Sequence, residues 1–335
     1  MAESRVLVLG NGGWGTALAI LLRGKGLDVR IWGHDASHAE QVERSRENPK
    51  YLPGVRLPDG IRVGSSARAL GEGVQTIISV VPTQFLRASL TVVRDGLPGG
   101  ATLTFLSCSK GFERETFELP SRVIESIFPA SRVGIVSGPS HAEEVSRGLP
   151  AAVVAASTLS EVALEAQRLL GGPRFRVYTS SDPVGVEVAG AVKNVMALAT
   201  GIADGLGFGD NARAALLTRG LREMTRLGEA LGARAETFAG LAGMGDLIAT
   251  CTSHHSRNHA VGLRIARGEA LDEILRSTAK VAEGVETARA LRAFSKKLGV
   301  SLPITAEVHA VLFEKRPPRE AVEALMSRET RDEAQ

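Results

Sequence analysis

The chain contains 335 residues, with 40 lysines and arginines against 37 aspartates and glutamates, for a formal net charge of +3. Its 44% hydrophobic and 23% charged residues are typical of a folded globular protein, which excludes a disordered or collagen-like chain. At about 100–200 residues per domain, this length predicts two domains. The two cysteines, Cys108 and Cys251, are too few for a disulfide framework and predict a reduced, cytoplasmic setting. No run of five basic residues occurs, so nucleic acid is not an expected partner.

Neither the N-terminus nor the most apolar stretch of the chain has the pattern of a membrane or targeting segment. Residues 1–5 lead directly into an apolar strand, without the basic region, apolar stretch and cleavage site of a signal peptide. Residues 184–208 contain Glu187, Lys193 and Asp204, three ionisable groups that a lipid-facing helix rarely carries. We therefore predict a helix buried in a protein core and no membrane span.

The first half of the chain alternates short apolar strands with helical patterns. This alternation indicates parallel strand pairing in an α/β sheet covered on both faces, so we predict a Rossmann-like, doubly wound sheet. The predicted strands span residues 5–9, 28–32, 76–81, 102–107, 132–137 and 151–155. The predicted helices between them include residues 15–23, 85–93 and 122–127.

The second half becomes poor in β-branched runs, and helical patterns dominate. Asp182-Pro183 is the predicted boundary, because the residue before proline disfavours helix and proline suits a first helical turn. We predict a Rossmann domain at residues 1–182 and an all-α domain at residues 183–335. The predicted helices of the second domain span residues 185–203, 212–231, 257–265, 270–275, 284–298, 304–313 and 319–326.

A glycine-rich turn follows the first predicted strand, and its sequence Gly10-Asn11-Gly12-Gly13-Trp14-Gly15 fits the pattern G-x-G-x-x-G. Gly10 permits a tight turn, Gly12 lets the backbone approach a pyrophosphate, and Gly15 lets helix and strand pack closely. The helix predicted to follow from Thr16 offers free N–H groups and a partial positive charge to phosphates. Because the motif lies between a strand and a helix, we predict dinucleotide binding rather than a purely structural turn.

The choice between NAD and NADP stays open at this stage. NAD enzymes often carry an acid near the end of the second strand, where it holds the ribose hydroxyls. Here that region reads Gly33-His34-Asp35. His34 could contact a 2′-phosphate, whereas Asp35 would oppose one if its side chain pointed inward.

Ligands of open α/β sheets bind beyond the carboxyl ends of the strands, and two such ends carry polar residues. Lys110 follows the strand at 102–107, where it could bind an anion; a solvated loop lysine is the alternative. Ser140 and Glu143 follow the strand at 132–137 with the spacing of a capping box, so a helix capped by Ser140 is predicted there. A ligand at this helix start is compatible with the cap.

Lys193 lies inside the long apolar helix, in Val192-Lys193-Asn194. Burying an ammonium group without a partner is expensive, so a carboxylate or a ligand is expected nearby. Desolvation or a second cation would lower the pKa of this lysine and let it exchange protons near neutral pH. We favour a catalytic role; the alternative is an internal ion pair with Glu187 or Asp246. Asn194 could fix an oxygen or the lysine itself.

Two polar clusters interrupt the helical half. The Gly-Met-Gly-Asp sequence at 243–246 is predicted to be a flexible turn that carries an acid. Ser256, Arg257 and Asn258 suit a phosphate, because a guanidinium binds two oxygens and a helix N-terminus adds N–H groups. An ordinary helix cap with a surface arginine is the alternative. The histidine pair at 254–255 has no further ligands at metal-binding spacing, so no metal is expected.

Taken together, these residues resemble the bacterial type of NAD(P)-dependent glycerol-3-phosphate dehydrogenase. The resemblance runs in order across nearly the whole chain, and the stretch around Lys193 is far more specific than the glycine turn. Two positions depart from the pattern of that family: Asn11 stands where alanine is common, and Gly13 where serine often occurs. The matching stretches are GNGGWGTALA, NPKYLPG, VVPTQFLR, SCSKGFE, SGPSHAEEV, EVAGAVKNVMALATGIADGLGFGDNARAAL, LAGMGDLIATCTSHHSRN, VAEGVETARA and PIT.

The resemblance implies the reversible reduction of dihydroxyacetone phosphate to sn-glycerol 3-phosphate with NAD or NADP as coenzyme, which supplies phospholipid synthesis. It implies that Lys193 is the general acid and base, and that the coenzyme binds to the first domain and the substrate to the second. With Asn194, the expected substrate contacts are Lys110, Gly138, Ser140, Lys193, Asp246, Ser256, Arg257 and Asn258. With the glycine turn, the expected coenzyme contacts are Gly10, Gly12, Gly13, Trp14, Gly15, His34, Lys110, Ala142, Arg257, Val281 and Glu283.

Two alternatives remain for the function of this sequence. One is another dehydrogenase of the same architecture that acts on a hydroxy acid or a carboxylated sugar. The other is a sensor that binds NAD(P)H without turnover, although such a sensor needs neither the buried lysine nor the phosphate cluster. The apolar helical half is compatible with a homodimer, but the sequence does not establish the oligomeric state.

Overall fold

The structure, a computed structural model, describes residues 5–97, 102–278 and 281–327. Its N-terminal half alternates strands and helices, as the sequence predicts. The strands at residues 47–48, 52–56, 62–64 and 175–180 and the helices at residues 36–45, 67–71 and 160–170 are not among the predicted elements. In chain order the elements are β1 (Arg5–Leu9), α1 (Gly13–Arg23), β2 (Asp28–Trp32), α2 (Ala36–Ser45), β3 (Glu47–Asn48), β4 (Leu52–Arg56), β5 (Arg62–Gly64), α3 (Ala67–Gly71), β6 (Thr76–Ser79), α4 (Thr83–Gly96), β7 (Thr104–Ser107), α5 (Pro120–Ile127), β8 (Arg132–Ser137), α6 (Ala142–Val145), β9 (Ala151–Ala156), α7 (Ser160–Leu170) and β10 (Phe175–Ser180).

Eight of these strands form one sheet in the order β10-β9-β8-β7-β6-β1-β2-β5, while β3 and β4 form a small antiparallel pair. Neighbouring strands of the large sheet are parallel except β8 and β9, which are antiparallel. The prediction of parallel pairing is therefore wrong for the β8–β9 pair, whereas β9 and β10 are parallel. Between β8 and β9 the chain forms only the four-residue helix α6, and it turns back instead of crossing the face of the sheet.

Helices cover both faces of this sheet. In β1, Val6 and Val8 belong to one hydrophobic cluster together with side chains of α1. Leu7 and Leu9, which alternate with them, belong to a second cluster that contains side chains of α4. A strand buried on both faces is the mark of a doubly wound α/β sheet, so this prediction is confirmed.

After β10, the described part of the chain contains only helical elements, which confirms the predicted change to an all-α second half. The segment at Leu241–Gly245 is a π-helical turn. The α-helices are α8 (Pro183–Gly205), α9 (Asp210–Ala230), α10 (Ala235–Phe238), α11 (Asp246–Thr252), α12 (Arg257–Ala266), α13 (Leu271–Ser277), α14 (Glu283–Leu298), α15 (Pro303–Phe313) and α16 (Pro318–Met326).

Helix α8 lies at the centre of this half, and every residue from Gly185 to Ala203 is buried. By length and composition alone it is the one described helix that could cross a membrane, but almost all of it lies inside the protein. This confirms the prediction of a buried core helix. The glycines of α8 and α12 let the two backbones touch: a Cβ on Gly201 would lie 2.1 Å from the His259 carbonyl oxygen, and one on Gly262 would lie 2.3 Å from that of Leu198.

Two buried carboxylates fix the start of α8. Asp182 caps the helix by accepting from the Gly185 amide at 2.9 Å, with Pro183 in the first turn, as the sequence predicts. Glu187 accepts from both the amide and the hydroxyl of Ser121, at 2.8 and 2.5 Å. Because Ser121 lies in the first turn of α5, Glu187 ties the central helix to the helices of the sheet.

We predict that Glu187 makes stability depend on pH. Burial raises the pKa of Glu187 from 4.5 to about 7, against the opposing hydrogen bonds from Ser121. The folded protein therefore holds a proton that the unfolded chain releases, and folding stability falls as the pH rises from about 4.5 to about 7. Glu187→Gln should flatten this fall, as measured by urea unfolding at pH 5 and pH 8. The control is Glu72→Gln at an exposed position; a Glu187→Gln variant with the same fall as the wild type would contradict the prediction.

Candidate active site

The glycine turn leads from β1 into α1. Gly10 has a φ of +118°, which favours glycine, and Gly12 is the N-cap residue of α1. The helix begins at Gly13 and not at Gly15 or Thr16, since the Gly12 carbonyl already accepts from the Thr16 amide at 3.0 Å. The predicted start is thus wrong by two to three residues. The first amides of α1 have no partner within the helix, and their location inside the glycine motif suits a phosphate.

The glycines of this turn differ in what surrounds them. A Cβ on Gly15 would lie 2.0 Å from the Gly10 carbonyl oxygen, so only glycine allows this approach of helix to strand. A Cβ on Gly13 would lie 2.8 Å from the Tyr51 carbonyl oxygen. Gly12 has no atom within 4 Å of its would-be Cβ, so its open side leaves room for a ligand against the backbone. These residues fit a dinucleotide pyrophosphate.

The neighbouring residues expected at the coenzyme lie around this turn. The Trp14 ring packs near that of Phe175 with centroids 6.3 Å apart, and Ala142 lies beside Gly13. At the end of β2, His34 is exposed, whereas Asp35 caps α2 by accepting from the His38 amide at 3.2 Å. The Asp35 carboxylate therefore has a local structural role.

Three elements bring charged side chains together around Asp246, the first residue of α11. Its Oδ1 accepts from Lys193 Nζ at 2.5 Å, and its Oδ2 accepts from Lys110 Nζ at 2.6 Å. Lys193 Nζ also donates to the Thr250 hydroxyl at 2.7 Å. Asp246 is only 2% exposed and Lys193 6%. Of the two partners that the sequence offers for Lys193, the structure selects Asp246, because Glu187 is bound to Ser121.

Two ammonium groups share this one carboxylate, and the charges affect each other. Burial, together with the Lys110 cation, lowers the pKa of Lys193 to about 8 despite the attraction of Asp246. For Lys110 burial opposes the charge, but Asp246 outweighs it and raises the pKa. Burial likewise disfavours the Asp246 anion, yet the two lysines lower its pKa. The proton that this cluster gives up most readily is therefore the one on Lys193.

The polar cluster after α11 is positioned by α8 and α14. Ser256 caps α12 by accepting from the His259 amide at 3.3 Å, which confirms the predicted helix start. Asn258 donates to Asn194 Oδ1 at 3.0 Å and accepts from the Gly284 amide at 3.0 Å. The exposed Arg257 donates to the Val281 carbonyl oxygen at 2.7 Å. The predicted substrate and coenzyme residues of these helices thus lie side by side.

A cavity of about 730 Å³ lies between the start of α4, the segment after β7 and helices α13 and α14. Three of the expected contacts, Lys110, Val281 and Glu283, line it together with Thr83 and Gly111. Burial raises the pKa of the Glu283 carboxyl. The cavity is large enough for part of a coenzyme and a small substrate.

Ser140 lies elsewhere, on a second cavity of about 290 Å³ that His141 also lines. The predicted capping box is wrong: the N-cap residue of α6 is His141, and the Ser140 hydroxyl donates to the Gly138 carbonyl oxygen at 3.0 Å. Gly138 has a φ of +142° and passes close to Val153, where its would-be Cβ would lie 2.9 Å from the Val153 Cα. This glycine turn, not a helix cap, precedes Ser140 and places it outside α6.

Two residues, Thr250 beside Asp246 and Thr83 in the larger cavity, are not among the predicted contacts. Thr250 follows Asp246 by four residues on α11, so both face Lys193, but α11 itself is not predicted from the sequence. Thr83 lines the larger cavity at the start of α4, where the sequence signal is only its place after a strand. Within the described ranges, no group of three or more His, Cys, Asp or Glu residues could hold a metal ion.

Known proteins are similar to this one over nearly the whole chain. A family model described as NAD-dependent glycerol-3-phosphate dehydrogenase N-terminus matches residues 5–163, and its C-terminal counterpart matches residues 182–323. A glycerol-3-phosphate dehydrogenase (NAD(P)+) from Chlorobium phaeobacteroides is 45% identical over 332 residues, 98% of this chain and 99% of that protein. One from Geobacter metallireducens is 47% identical over 332 residues, 98% of each. The crystal structure of glycerol-3-phosphate dehydrogenase from Coxiella burnetii has a TM-score of 0.93 at 37% identity and covers 97% of this chain and 99% of its own.

The open side of Gly12 generates a prediction about coenzyme binding. Gly12→Ala should fold as the wild type does, because no protein atom lies within 4 Å of the new methyl group. It should raise the Kd for NADH or NADPH by on the order of 10-fold or more, since the methyl group would occupy the space of the phosphates. Coenzyme fluorescence titration and thermal unfolding measure the two effects.

The matched control is Gly209→Ala. Gly209 is also an N-cap glycine with nothing within 4 Å of its would-be Cβ, but it lies at the start of α9. Its substitution should change neither stability nor coenzyme affinity. Equal coenzyme affinity in the two variants would show that α1 does not hold the pyrophosphate.

Proposed function

The chain belongs to the NAD-dependent glycerol-3-phosphate dehydrogenase family, and we propose that Lys193 is the general acid and base of its reaction. That reaction is the reversible reduction of dihydroxyacetone phosphate to sn-glycerol 3-phosphate with NAD(P)H. The observation that carries the proposal is the buried Lys193 ammonium group, held by Asp246 and Thr250 beside Lys110. With this family assignment, the sensor and the hydroxy acid dehydrogenase are no longer needed as alternatives.

The chemistry asks for a proton at the substrate oxygen. When bound, the reduced coenzyme supplies the hydride. As the carbonyl carbon receives it, negative charge grows on the oxygen, where the Lys193 ammonium group stabilises it. Lys193 Nζ then transfers its proton to that oxygen, which leaves an alcohol and a neutral lysine. In the reverse direction neutral Lys193 takes the proton from the alcohol.

Asp246 and Lys110 make this exchange of a proton easy. Asp246 holds Lys193 Nζ in place through a hydrogen bond of 2.5 Å. When Lys193 loses its proton, Lys110 remains as the cation that balances the Asp246 carboxylate, so no unpaired charge is left buried. A lysine with a pKa near 8 gives and takes protons at neutral pH with little driving force in either direction.

The remaining residues bind and orient the two ligands. We assign the substrate phosphate to Arg257 and to the start of α12, where a guanidinium and free amides lie together. The full set of proposed substrate contacts is Lys110, Gly138, Ser140, Lys193, Asn194, Asp246, Ser256, Arg257 and Asn258. The proposed coenzyme contacts are Gly10, Gly12, Gly13, Trp14, Gly15, His34, Lys110, Ala142, Arg257, Val281 and Glu283.

The setting of the reaction is part of the same proposal. We place it in the cytoplasm, in line with the two cysteines, Cys108 and Cys251, which are unpaired and buried. Its product supplies the glycerol phosphate backbone of phospholipids. We take residue 182 as the end of the coenzyme domain and residue 183 as the start of the substrate domain, because α8 begins there. A homodimer stays a prediction.

We predict that Lys193→Met lowers kcat on the order of 10²–10⁴-fold while the Kd for the coenzyme is unchanged, because only the proton exchange is lost. The assay follows NAD(P)H oxidation with dihydroxyacetone phosphate, and Lys296→Met on the exposed side of α14 is the control.

In the wild type, the rate of glycerol 3-phosphate oxidation should rise with pH through about 8, since the reaction needs neutral Lys193. Near-normal turnover of Lys193→Met would exclude the proton-transfer role. Wild-type protein inactive with dihydroxyacetone phosphate would overturn the proposed reaction.

Arg257→Ala should raise KM for dihydroxyacetone phosphate by roughly 10- to 100-fold, which is the scale of a charge-assisted pair of hydrogen bonds. The effect on kcat should be smaller, since the guanidinium is proposed to hold the phosphate and not the reacting carbonyl. Arg267→Ala, which removes an exposed arginine at the other end of α12, is the matched control. Unchanged KM in Arg257→Ala would mean that the phosphate is bound elsewhere.

A further inference from the structure

The π-helical turn at Leu241–Gly245 leads directly into Asp246. The Gly245 amide donates to the Gly240 carbonyl oxygen at 3.1 Å, and the Asp246 amide reaches back to that of Leu241, five residues earlier. The sequence predicts a flexible turn that carries an acid here, and the structure has a π-helical turn that runs directly into α11. A π turn holds one residue more than an α turn, so it changes by about 100° the direction in which the following residues face.

Gly243 occupies the tightest point of this turn. Its would-be Cβ would lie 2.0 Å from the carbonyl oxygen of Phe238 and 2.5 Å from the carbonyl carbon. These are backbone atoms, which cannot rotate away as a flexible side chain could. Any residue larger than glycine at position 243 therefore forces the π turn away from Phe238.

Phe238 cannot easily move instead. It is 1% exposed, and its ring lies against Gly228 of α9, where a Cβ would come within 2.1 Å of the ring. On its other side the π turn is held by Ala242, which packs with Ile135 of β8 and Val186 of α8. The turn thus lies between α10 and the end of the sheet, and only the absence of a side chain at Gly243 allows this fit.

We propose that Gly243 is a positioning residue for the reaction, because its lack of a side chain lets the π turn place Asp246 between Lys110 and Lys193. The proposal rests on the function proposed above and adds how the shared carboxylate is placed. If a side chain at position 243 displaces the π turn, Asp246 and Thr250 turn together away from the lysines, since both lie on α11. The two ammonium groups then lose their common anion.

The loss of Asp246 has a direct signature in the charge of Lys193. The charged or titratable groups that act on Lys193 include Lys110 after β7, Asp246 on α11, Glu283 on α14 and His141 before α6. Asp246 is the nearest anion, and it favours the ammonium form of Lys193. When Asp246 moves, its attraction no longer offsets the repulsion by Lys110, so Lys193 becomes neutral at a lower pH.

The experiment measures kcat and kcat/KM for glycerol 3-phosphate oxidation as a function of pH in the wild type and four variants: Gly243→Ala, Asp246→Asn, the double variant and Gly240→Ala. We expect Gly243→Ala to reduce kcat by roughly 10- to 100-fold, the scale for a misplaced catalytic group. Its rise of activity with pH should shift to lower pH, as in Asp246→Asn. In the Asp246→Asn background, Gly243→Ala should have little further effect. Gly240→Ala should behave as the wild type, because its new methyl group would lie 3.4 Å from the nearest atom.

A wild-type rate and pH profile in Gly243→Ala would overturn the proposal. A fall in the activity of the double variant equal to the product of the two single falls would also overturn it. A residue that acts only through Asp246 should have no further effect once the Asp246 carboxylate is removed. If Gly243→Ala does not fold, deletion of the exposed Met244 shortens the π turn by one residue and tests the same placement; a deletion variant with the wild-type profile would overturn the proposal as well. Failure of the proposed function would look different, because Asp246→Asn itself would then keep full activity.

Discussion

One carboxylate shared by the buried Lys193 and the half-buried Lys110 is the interaction on which this site depends. Asp246 binds Lys193 from the central helix α8 and Lys110 from the segment after β7, so sheet and helices meet in a single ion cluster. Two ammonium groups and one carboxylate give the cluster a net positive charge, so it releases one proton readily. Because the cluster is buried, little water screens the repulsion between its two ammonium groups.

The rest of the fold keeps these three charges in place. Asp182 and Glu187 anchor α8 to α10 and to the start of α5. The close contact of α8 with α12, which glycines permit, brings Asn258 to Asn194 and thus the start of α12 to the helix that carries Lys193. The π turn then sets the direction of Asp246. The contacts of Asp182, Glu187 and Asn258 each join elements that are far apart in the sequence.

Local sequence patterns and contacts between distant segments determine different features of this fold. The glycine turn, the buried central helix and the Ser256 cap are confirmed, because each depends on residues within a few positions of one another. The capping box at Ser140 is wrong for a tertiary reason: the glycine turn at Gly138, which passes close to Val153, leaves Ser140 outside the helix. The antiparallel pairing of β9 with β8 is likewise decided by the short connection between them, whose path the local sequence pattern does not show.

The sequence by itself determined that this chain has an α/β half with a glycine-rich turn between its first strand and helix, and a helical half with a buried lysine, since periodicity and glycine spacing are local properties. It narrowed the partner of that lysine to two acids but did not choose between them. Only the tertiary structure decided for Asp246, turned it and Thr250 toward Lys193, and added Lys110 on the other oxygen. The reason is that the shared carboxylate joins three segments that are distant in the sequence, and its geometry depends on how these segments pack against one another.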